Sequence, residues 1–354
     1  MKKIKSMNKF TLTNIKSYGL VLIAFAILFP MQSSGLINNS ISGQLVPICT
    51  YIVMAISLTL TVGFLGELSL GHAGFMSVGA FSGVITAICL QGAIPVPWLR
   101  LLVAVIIGGI FAGIAGLIIG IPVLRLRGDY LAIVTLAFGE IIKNIINCVY
   151  VGVDKGGLHL SMKSADALNM ENGKLILNGP QGAVGIMKLS SFTSGVILIL
   201  FALFIVLNLV NSKTGRAVTA IRDNRIAAES VGIGITRYKL TAFITSAVLA
   251  GMAGAVYAMN FSTIAAKKFD FNASILILVF VVLGGMSNIP GTIVATTLLY
   301  MLPELLREYA DYRMLLYAIV LIVVMLLTNS EKAKQMREVL VYKFKNLNQK
   351  RGEN

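Results

Sequence analysis

The chain has 354 residues, of which 56% are hydrophobic and only 13% are charged, and its formal net charge is +15. Soluble domains average about 25% charged residues, so this composition excludes an ordinary soluble protein. The positive charge does not indicate nucleic-acid binding, because the basic residues lie between apolar runs, where a cytoplasmic excess of lysine and arginine is expected. Three isolated cysteines without a CxxC pair indicate neither a metal site nor a disulfide framework.

The apolar runs predict an all-α, polytopic membrane bundle of about 10 transmembrane helices, with 8–10 as the range. The predicted spans are 18–37, 44–65, 69–91, 99–121, 130–150, 192–210, 240–261, 272–286, 291–306 and 314–328. The last three are short. The alternative for the eighth and ninth is that they are broken or re-entrant helices. The amino-terminal run counts as a span because no small-x-small cleavage site follows it.

The distribution of basic residues predicts the orientation of the bundle. With the amino terminus in the cytoplasm, the inner segments hold 20 basic residues and the outer segments hold 9. This bias places both termini inside. Residues 1–330 then form a single transmembrane domain, with loop 151–191 outside and loop 211–239 inside, and residues 331–354 form a basic cytoplasmic tail.

Residues 66–75, "GELSLGHAGF", connect spans two and three and contain one of only two histidines in the chain. Ser69 is the predicted N-cap of span three, with Glu67 and His72 on either side of it. Two interpretations stay open for this stretch. It is either a structural corner, or a helix amino terminus that faces a pathway and offers N–H groups to a carboxylate.

Two further patterns lie inside the spans. Small residues recur in span four (Gly109, Gly113, Gly116, Gly120) and in span seven (Ala247, Gly251, Ala255), which predicts close helix packing. Span five carries Glu140 and Lys143, whose spacing puts them on one face. Either they neutralise each other and hold span five to a neighbour, or they line a pathway.

The inner loop contains "TAIRDNRIAAESVG", which predicts a polar helix over Thr219–Gly232 with a glycine stop. Such a helix is either a docking element for a soluble partner or an ordinary solvated helix. The chain has no GxxxxGK[ST], HExxH or GxSxG motif, so no catalytic, metal or cofactor site is predicted and any ATP is bound by another polypeptide.

Four stretches resemble the permease subunits of branched-chain amino-acid ABC importers, of the LivM kind. They are "GELSLGHAGFMSVGAF" (66–81), "LRLRGDYLAIVTLAFGEIIKNI" (124–145), "GRAVTAIRDNRIAAESVGIGITRYKLTAFITSAVLAGMAGAVYA" (215–258) and "VVLGGMSNIPGT" (281–292). The outer segment "NGPQGAVGI" (178–186) is similar to a further signature of this family. The likeness covers most of residues 44–310.

The resemblance implies a multi-pass permease subunit in a bacterial cell (inner) membrane, surrounded by lipid and without nucleic acid. It implies a second homologous permease, ABC ATPase subunits and an extracytoplasmic binding protein as partners. ATP would be hydrolysed on the partners, so the chain would not be an enzyme. The substrates would be branched-chain or other aliphatic amino acids, with urea, short amides or nucleosides as alternatives.

The two patterns above, residues 66–75 and span five, supply the candidate pathway residues, which are Glu67, Ser69, His72, Glu140 and Lys143. The resemblance implies that the loop between spans six and seven is the element that couples to the ATPase. The residues that couple the permease to the ATPase would be Arg222, Asp223, Asn224, Ala227, Ala228, Glu229 and Gly232. Ile226 stands where the family's Glu-Ala-Ala-x-x-x-Gly pattern has glutamate. A rival interpretation is a proton-coupled secondary transporter with Glu140, Lys143 and His72 as its relay.

Overall fold

The computed structural model describes residues 9–35, 38–126, 128–154, 157–168, 170, 173–307 and 312–329. Within these residues the chain forms twelve α-helices and five short β-strands. The helices are α1 (Lys9–Ser33), α2 (Asn39–Leu58), α3 (His72–Cys89), α4 (Pro97–Val123), α5 (Asp129–Cys148), α6 (Phe192–Asn211), α7 (Lys213–Asp223), α8 (Arg225–Ser230), α9 (Ile235–Ala258), α10 (Phe271–Gly284), α11 (Ile289–Leu305) and α12 (Arg313–Asn329). The strands are β1 (Tyr150–Asp154), β2 (Gly157–Ser161), β3 (Lys174–Asn178), β4 (Ala183–Val184) and β5 (Thr263–Ile264).

The predicted helical membrane bundle is confirmed, since seven of these helices are long and apolar enough to cross a membrane. The chain divides into two compact units, the first ending at Thr297 and the second beginning at Leu298. The sites described below lie in the first unit. The predicted tail, 331–354, lies outside the described residues.

Helix α2 is the centre of the first unit. It continues as a π-helical segment, Thr59–Leu65, and the apolar window of this combined helix is completely buried. A helix that is apolar on every side is stable only when other elements surround it. Helices α6, α9 and α10 supply much of that surrounding surface.

Helices α3, α4 and α9 pack with almost no space between their backbones. A Cβ atom on Gly79 of α3 would lie 2.1 Å from the carbonyl oxygen of Gly251 on α9. On α4, Gly113 faces Val248 and Gly116 faces Ala247. The predicted close packing of spans four and seven is therefore confirmed, and α3 joins them as a third partner.

The five strands form one sheet in the order β2-β1-β3-β4-β5, with antiparallel pairing throughout. In its register Gly152 pairs with His159, and Ala183 pairs with Ile264. The sheet joins the α5–α6 connection to the α9–α10 connection, so both lie at one end of the unit, which we name the sheet end. Helices α7 and α8 follow the opposite end of α6. The sheet is absent from the all-α prediction.

Helices α10 and α11 are short and are joined by residues 285–288. Their 14 and 17 residues correspond to about 21 and about 26 Å, less than the hydrocarbon thickness of about 30 Å. These lengths fit the alternative that predicted spans eight and nine are broken or re-entrant helices.

Candidate functional site

Helix α3 begins deep inside the unit. Its first residue, His72, lies against Ser246 of α9, eleven residues after the first residue of α9, Ile235. Eleven helical residues rise about 16 Å, so the helix start is far from the end of the unit. Residues 66–71, which lead to it, are not helical. The connection between α2 and α3 is thus an irregular segment that leads from the end of the unit into the bundle.

The prediction that Ser69 caps α3 is wrong. Gly71 holds the N-cap position, without a side-chain cap. The start is displaced because α5 holds the preceding chain: Leu70 donates its N–H to Thr135 Oγ1 at 3.1 Å. A Cβ on Gly71 would lie 2.2 Å from the Thr135 carbonyl oxygen, so only glycine allows this approach.

His72 is buried at the helix start, with 1% of its surface exposed. Its Nε2 lies 2.8 Å from Ser57 Oγ and 3.4 Å from Ser246 Oγ. Both hydroxyls donate their protons to backbone carbonyls, Ser57 to Met54 and Ser246 to Ser57. Nε2 must therefore donate, which leaves Nδ1 as an acceptor. His72 Nδ1 and the buried Ser69 Oγ have no hydrogen-bond partner among the described residues.

The start of α3 meets α5 and α10. Ala73 donates its N–H to Ser274 Oγ of α10 at 3.1 Å, which satisfies one of the free N–H groups of the first helical turn. Gly74 packs against Gly139 of α5. The three helices leave a crevice between them that is too narrow to hold a water molecule, and Glu140 and Asp270 are among the residues that line it.

Glu140 and Lys143 form an ion pair on α5, as their spacing predicted. Asn144 and Asn147 continue the same face, so this half of α5 carries a polar stripe. The side chain of Glu140 is 33% exposed and Asn144 is also exposed. Polar groups at membrane depth normally face a partner or an aqueous cavity, because exposure to lipid is costly.

Asp270 is a site residue that sequence reasoning missed. Its carboxylate caps α10 by accepting the N–H of Ala273 at 3.0 Å, and it also accepts from the Asn272 side chain. An aspartate immediately before an apolar run is a helix-start signal, so the capping role was detectable from the sequence. Its proximity to Glu140 was not, because 130 residues separate them.

Glu67 does not lie near the start of α3. It forms a buried ion pair with Lys239, in the second turn of α9, and their side chains are 15% and 4% exposed. No sequence pattern indicated this pairing, because Lys239 lies at the end of a basic loop. This ion pair therefore links the α2–α3 connection to α9.

The prediction of one helix over residues 219–232 is wrong. Asn224 separates α7 from α8, since its backbone is extended and its side chain accepts the N–H of Ala227 at 3.0 Å. The glycine stop is present, because Gly232 has a φ of 82°. Ala228 packs with Ile221 and Ile235, which fixes α8 to the bundle.

The predicted coupling residues differ in where they point. Ala228 is buried. Five of the other predicted coupling residues are exposed, namely Asp223, Asn224, Ala227, Glu229 and Gly232. Arg222 turns toward the bundle and donates to the carbonyl oxygen of Gly63 at 2.9 Å. Ile226 and Val231, which the sequence reasoning did not select, are 81% and 74% exposed. The outward surface of α7 and α8 thus combines acidic, basic and aliphatic side chains, since Arg216 and part of Arg222 are exposed there as well.

Comparison with known proteins identifies the family. Residues 40–327 match the family described as branched-chain amino acid transport system / permease component. The chain is 32% identical over 330 residues to the high-affinity branched-chain amino acid transport system permease protein LivM of Escherichia coli (strain K12), with 88% of this chain and 73% of the relative covered. It is 31% identical over 330 residues to LivM of Salmonella typhimurium (strain LT2), with the same coverage.

A more distant relative is the nucleoside ABC transporter permease protein NupC of Lactococcus lactis subsp. cremoris, 26% identical over 213 residues, which cover 58% of this chain and 64% of the relative. No solved structure gives a significant match. The family match covers most of the chain, and the candidate spans agree with it. The chain belongs to the branched-chain amino acid transport system permease family and is a membrane-embedded permease subunit, not a catalytic enzyme.

Proposed function

We propose that the chain carries branched-chain amino acids through the cell membrane as one permease of a binding-protein-dependent ABC importer. The observation that supports this proposal best is the start of α3, which lies deep in the bundle with two unpartnered polar atoms, His72 Nδ1 and Ser69 Oγ. Buried polar atoms without a partner are rare, so this position fits a site that a polar ligand completes.

The pathway we propose runs along the start of α3 and the polar stripe of α5. A branched-chain amino acid brings a carboxylate, an ammonium group and an aliphatic side chain. The helix amino terminus and Lys143 suit the carboxylate. Glu140 and Asp270 suit the ammonium group, and the apolar walls suit the side chain. Ser69 and His72 belong to the same site, where their unpartnered atoms would meet the polar groups of the ligand. Glu67 supports it from the α9 side through Lys239.

The partners belong to the same proposal. A second homologous permease completes the pathway, a binding protein delivers the substrate at the sheet end, and two ABC ATPase subunits bind and hydrolyse ATP. The ATPases dock on α7 and α8, where Asp223, Asn224, Ala227, Glu229 and Gly232 are exposed. Ala228 attaches α8 to the bundle by packing against Ile221 and Ile235. This chain binds no nucleotide itself.

The test is ATP-dependent uptake of radiolabelled leucine by proteoliposomes that contain the chain with its partner permease, ATPases and binding protein. We expect Glu140→Gln to lower uptake about tenfold or more, because a hydrogen bond to a charged group contributes about 1.5–3 kcal/mol. Asp129→Asn is the matched control, since this exposed acid lies on the same helix eleven residues before Glu140 and outside the lining of the crevice, and it should transport like the wild type.

Three results would contradict the proposal. Leucine uptake that survives ATP depletion but stops when a proton gradient is collapsed would indicate a secondary transporter. Uptake of nucleosides in preference to leucine would move the substrate class toward that of the more distant relative. Equal uptake by Glu140→Gln and Asp129→Asn would remove Glu140 from the pathway.

A further inference from the structure

The Arg222 guanidinium joins three separate elements at the end of the bundle that carries α7 and α8. Arg222 is in the last turn of α7. Its Nη1 donates to the carbonyl oxygen of Gly63, in the π-helical end of α2, at 2.9 Å. The same nitrogen lies 3.3 Å from the hydroxyl of Ser287, in the α10–α11 connection. We name these three residues and their hydrogen bonds the Arg222 bridge.

The Gly63 carbonyl is the common point of the bridge. It lies near the end of a helix, where carbonyl groups lack partners within the helix. Ser287 Oγ also donates to it, at 2.6 Å. A Cβ on Gly63 would lie 2.5 Å from the Ser287 backbone nitrogen, so the two segments are in direct contact. Ser287 has a φ of 72°, the only positive value among the described non-glycine residues.

Asp223 fixes the orientation of the guanidinium. Its Oδ1 accepts from Arg222 Nε at 3.1 Å and from Nη2 at 3.0 Å. One edge of the guanidinium is therefore held by α7 itself, and the other edge faces α2 and the α10–α11 connection. Lysine has no planar set of donors with which to hold both edges at once.

The two elements that Arg222 holds meet again at the start of α3. The π-helical end of α2 continues through residues 66–71 directly to His72. Helix α10 carries Ser274, whose hydroxyl accepts the N–H of Ala73. A displacement of α7 that is carried by the Arg222 bridge therefore reaches the α3 start by two routes, along the covalent chain through residues 66–71 and along α10 to the hydrogen bond between Ser274 and Ala73.

We infer that Arg222 is the positioning residue that carries the movement of α7 to the α2 end and the α10–α11 connection, and through them to the start of α3. Its role is to connect elements within this chain, because its donor groups are engaged by Gly63, Ser287 and Asp223 although its side chain is 36% exposed. This inference rests on the proposed function, because it concerns how ATP hydrolysis on the partners reaches the pathway.

The test is the amount of leucine transported per ATP hydrolysed in proteoliposomes that contain the complete importer. Arg222→Lys keeps the charge and removes the bridge. We expect it to lower leucine per ATP about tenfold, within the range of ordinary coupling between two sites, while the ATPases stay bound. The matched control is Arg216→Lys on the same helix, whose guanidinium donates only to the Asn211 carbonyl at 3.4 Å. It should keep the wild-type ratio.

Ser287→Ala removes one arm of the bridge and should lower the ratio by a smaller factor. The double variant Arg222→Lys/Ser287→Ala should be no worse than Arg222→Lys, because both side chains act on the same carbonyl. A ratio equal to that of Arg216→Lys would overturn the inference. So would loss of ATPase binding with an unchanged ratio in the assembled fraction, because Arg222 would then serve assembly alone.

The failure of this inference is distinguishable from the failure of the proposed function. If the wild-type importer shows no ATP-dependent leucine uptake, the proposed function is wrong. If the wild type transports leucine and Arg222→Lys retains the full ratio, only the role of Arg222 is wrong.

Discussion

Glu67 and Lys239 form an ion pair that is almost completely removed from solvent. A buried pair adds little net stability, because desolvation offsets the attraction between the charges. Removing one partner is much more costly, since it leaves a buried charge without compensation. The pair thus acts mainly to specify how the α2–α3 connection is attached to α9.

The effects of substituting Glu67 and Lys239 on the free energy of unfolding should therefore not be additive. We expect Glu67→Gln alone to lower the free energy of unfolding by about 3–5 kcal/mol, because Lys239 then stays buried without a carboxylate. The double variant Glu67→Gln/Lys239→Met should recover most of this loss, since it contains no buried charge at the site. Thermal unfolding of the purified protein in detergent measures both effects.

The pair Arg307–Glu304 offers a control, because its arginine is 66% exposed and an ion pair near the surface contributes only about 0–1 kcal/mol. Glu304→Gln should change the unfolding temperature little. If Glu67→Gln were as mild as Glu304→Gln, the Glu67–Lys239 pair would not stabilise the attachment.

Sequence reasoning reached some of these residues and missed others for identifiable reasons. Gly71 and His72 lie between two apolar runs, so a helix start in this stretch was predictable. The Glu140–Lys143 pair follows from helical spacing alone. Lys239 and Asp270 were missed as site residues because their partners are distant along the chain, and local patterns carry no information about tertiary contacts.

Helices α3, α4 and α9 illustrate how small residues replace the hydrophobic effect inside a membrane. Lipid is as apolar as leucine, so helices associate through close contact and dispersion attraction. Gly79 and Gly251 allow the backbones of α3 and α9 to touch. Any added side-chain atom at this crossing must push the helices apart.

We therefore predict that Gly79→Ala destabilises the protein by about 1–3 kcal/mol, as expected for overpacking of a tight interface. Gly43→Ala, within α2, is the matched control because no atom lies within 4 Å of its added Cβ. It should be neutral or stabilising by less than about 1 kcal/mol, since alanine favours a helix. The unfolding temperatures of the two variants in detergent provide the comparison. Equal temperatures would show that the crossing tolerates separation.

At the scale of elements, the sequence predicted most helices and missed the irregular ones. Long apolar runs specify α2, α4, α6 and α9 directly. The sheet was missed because its strands are short and pair across long separations, such as Ala183 with Ile264. The break between α7 and α8 was missed because alanine-rich surroundings obscured the capping role of Asn224.

The distribution of basic residues separately predicts how the whole molecule is oriented in the membrane. It places the sheet end outside the cell and α7 and α8 inside. Met162 lies at the sheet end and is 73% exposed, and Ile226 lies on α8 and is 81% exposed. Labelling of these two positions therefore tests the orientation. The native cysteines, Cys49, Cys89 and Cys148, must first be replaced so that labelling is specific.

In this cysteine-free background we expect Met162→Cys to react with a membrane-impermeant maleimide in intact cells. Ile226→Cys should react only after the membrane is permeabilised. Labelling is read by the mass shift of the protein on a gel. The reverse pattern would invert the topology, and it would also move the proposed ATPase surface to the wrong side.

The sheet has a mechanical consequence for the importer. Its backbone hydrogen bonds tie the α5–α6 connection to the α9–α10 connection, so the neighbouring ends of these four helices cannot separate without breaking the strand pairing. We therefore expect a gap that admits substrate to open along the border of this block, with the four helix ends moving as one unit.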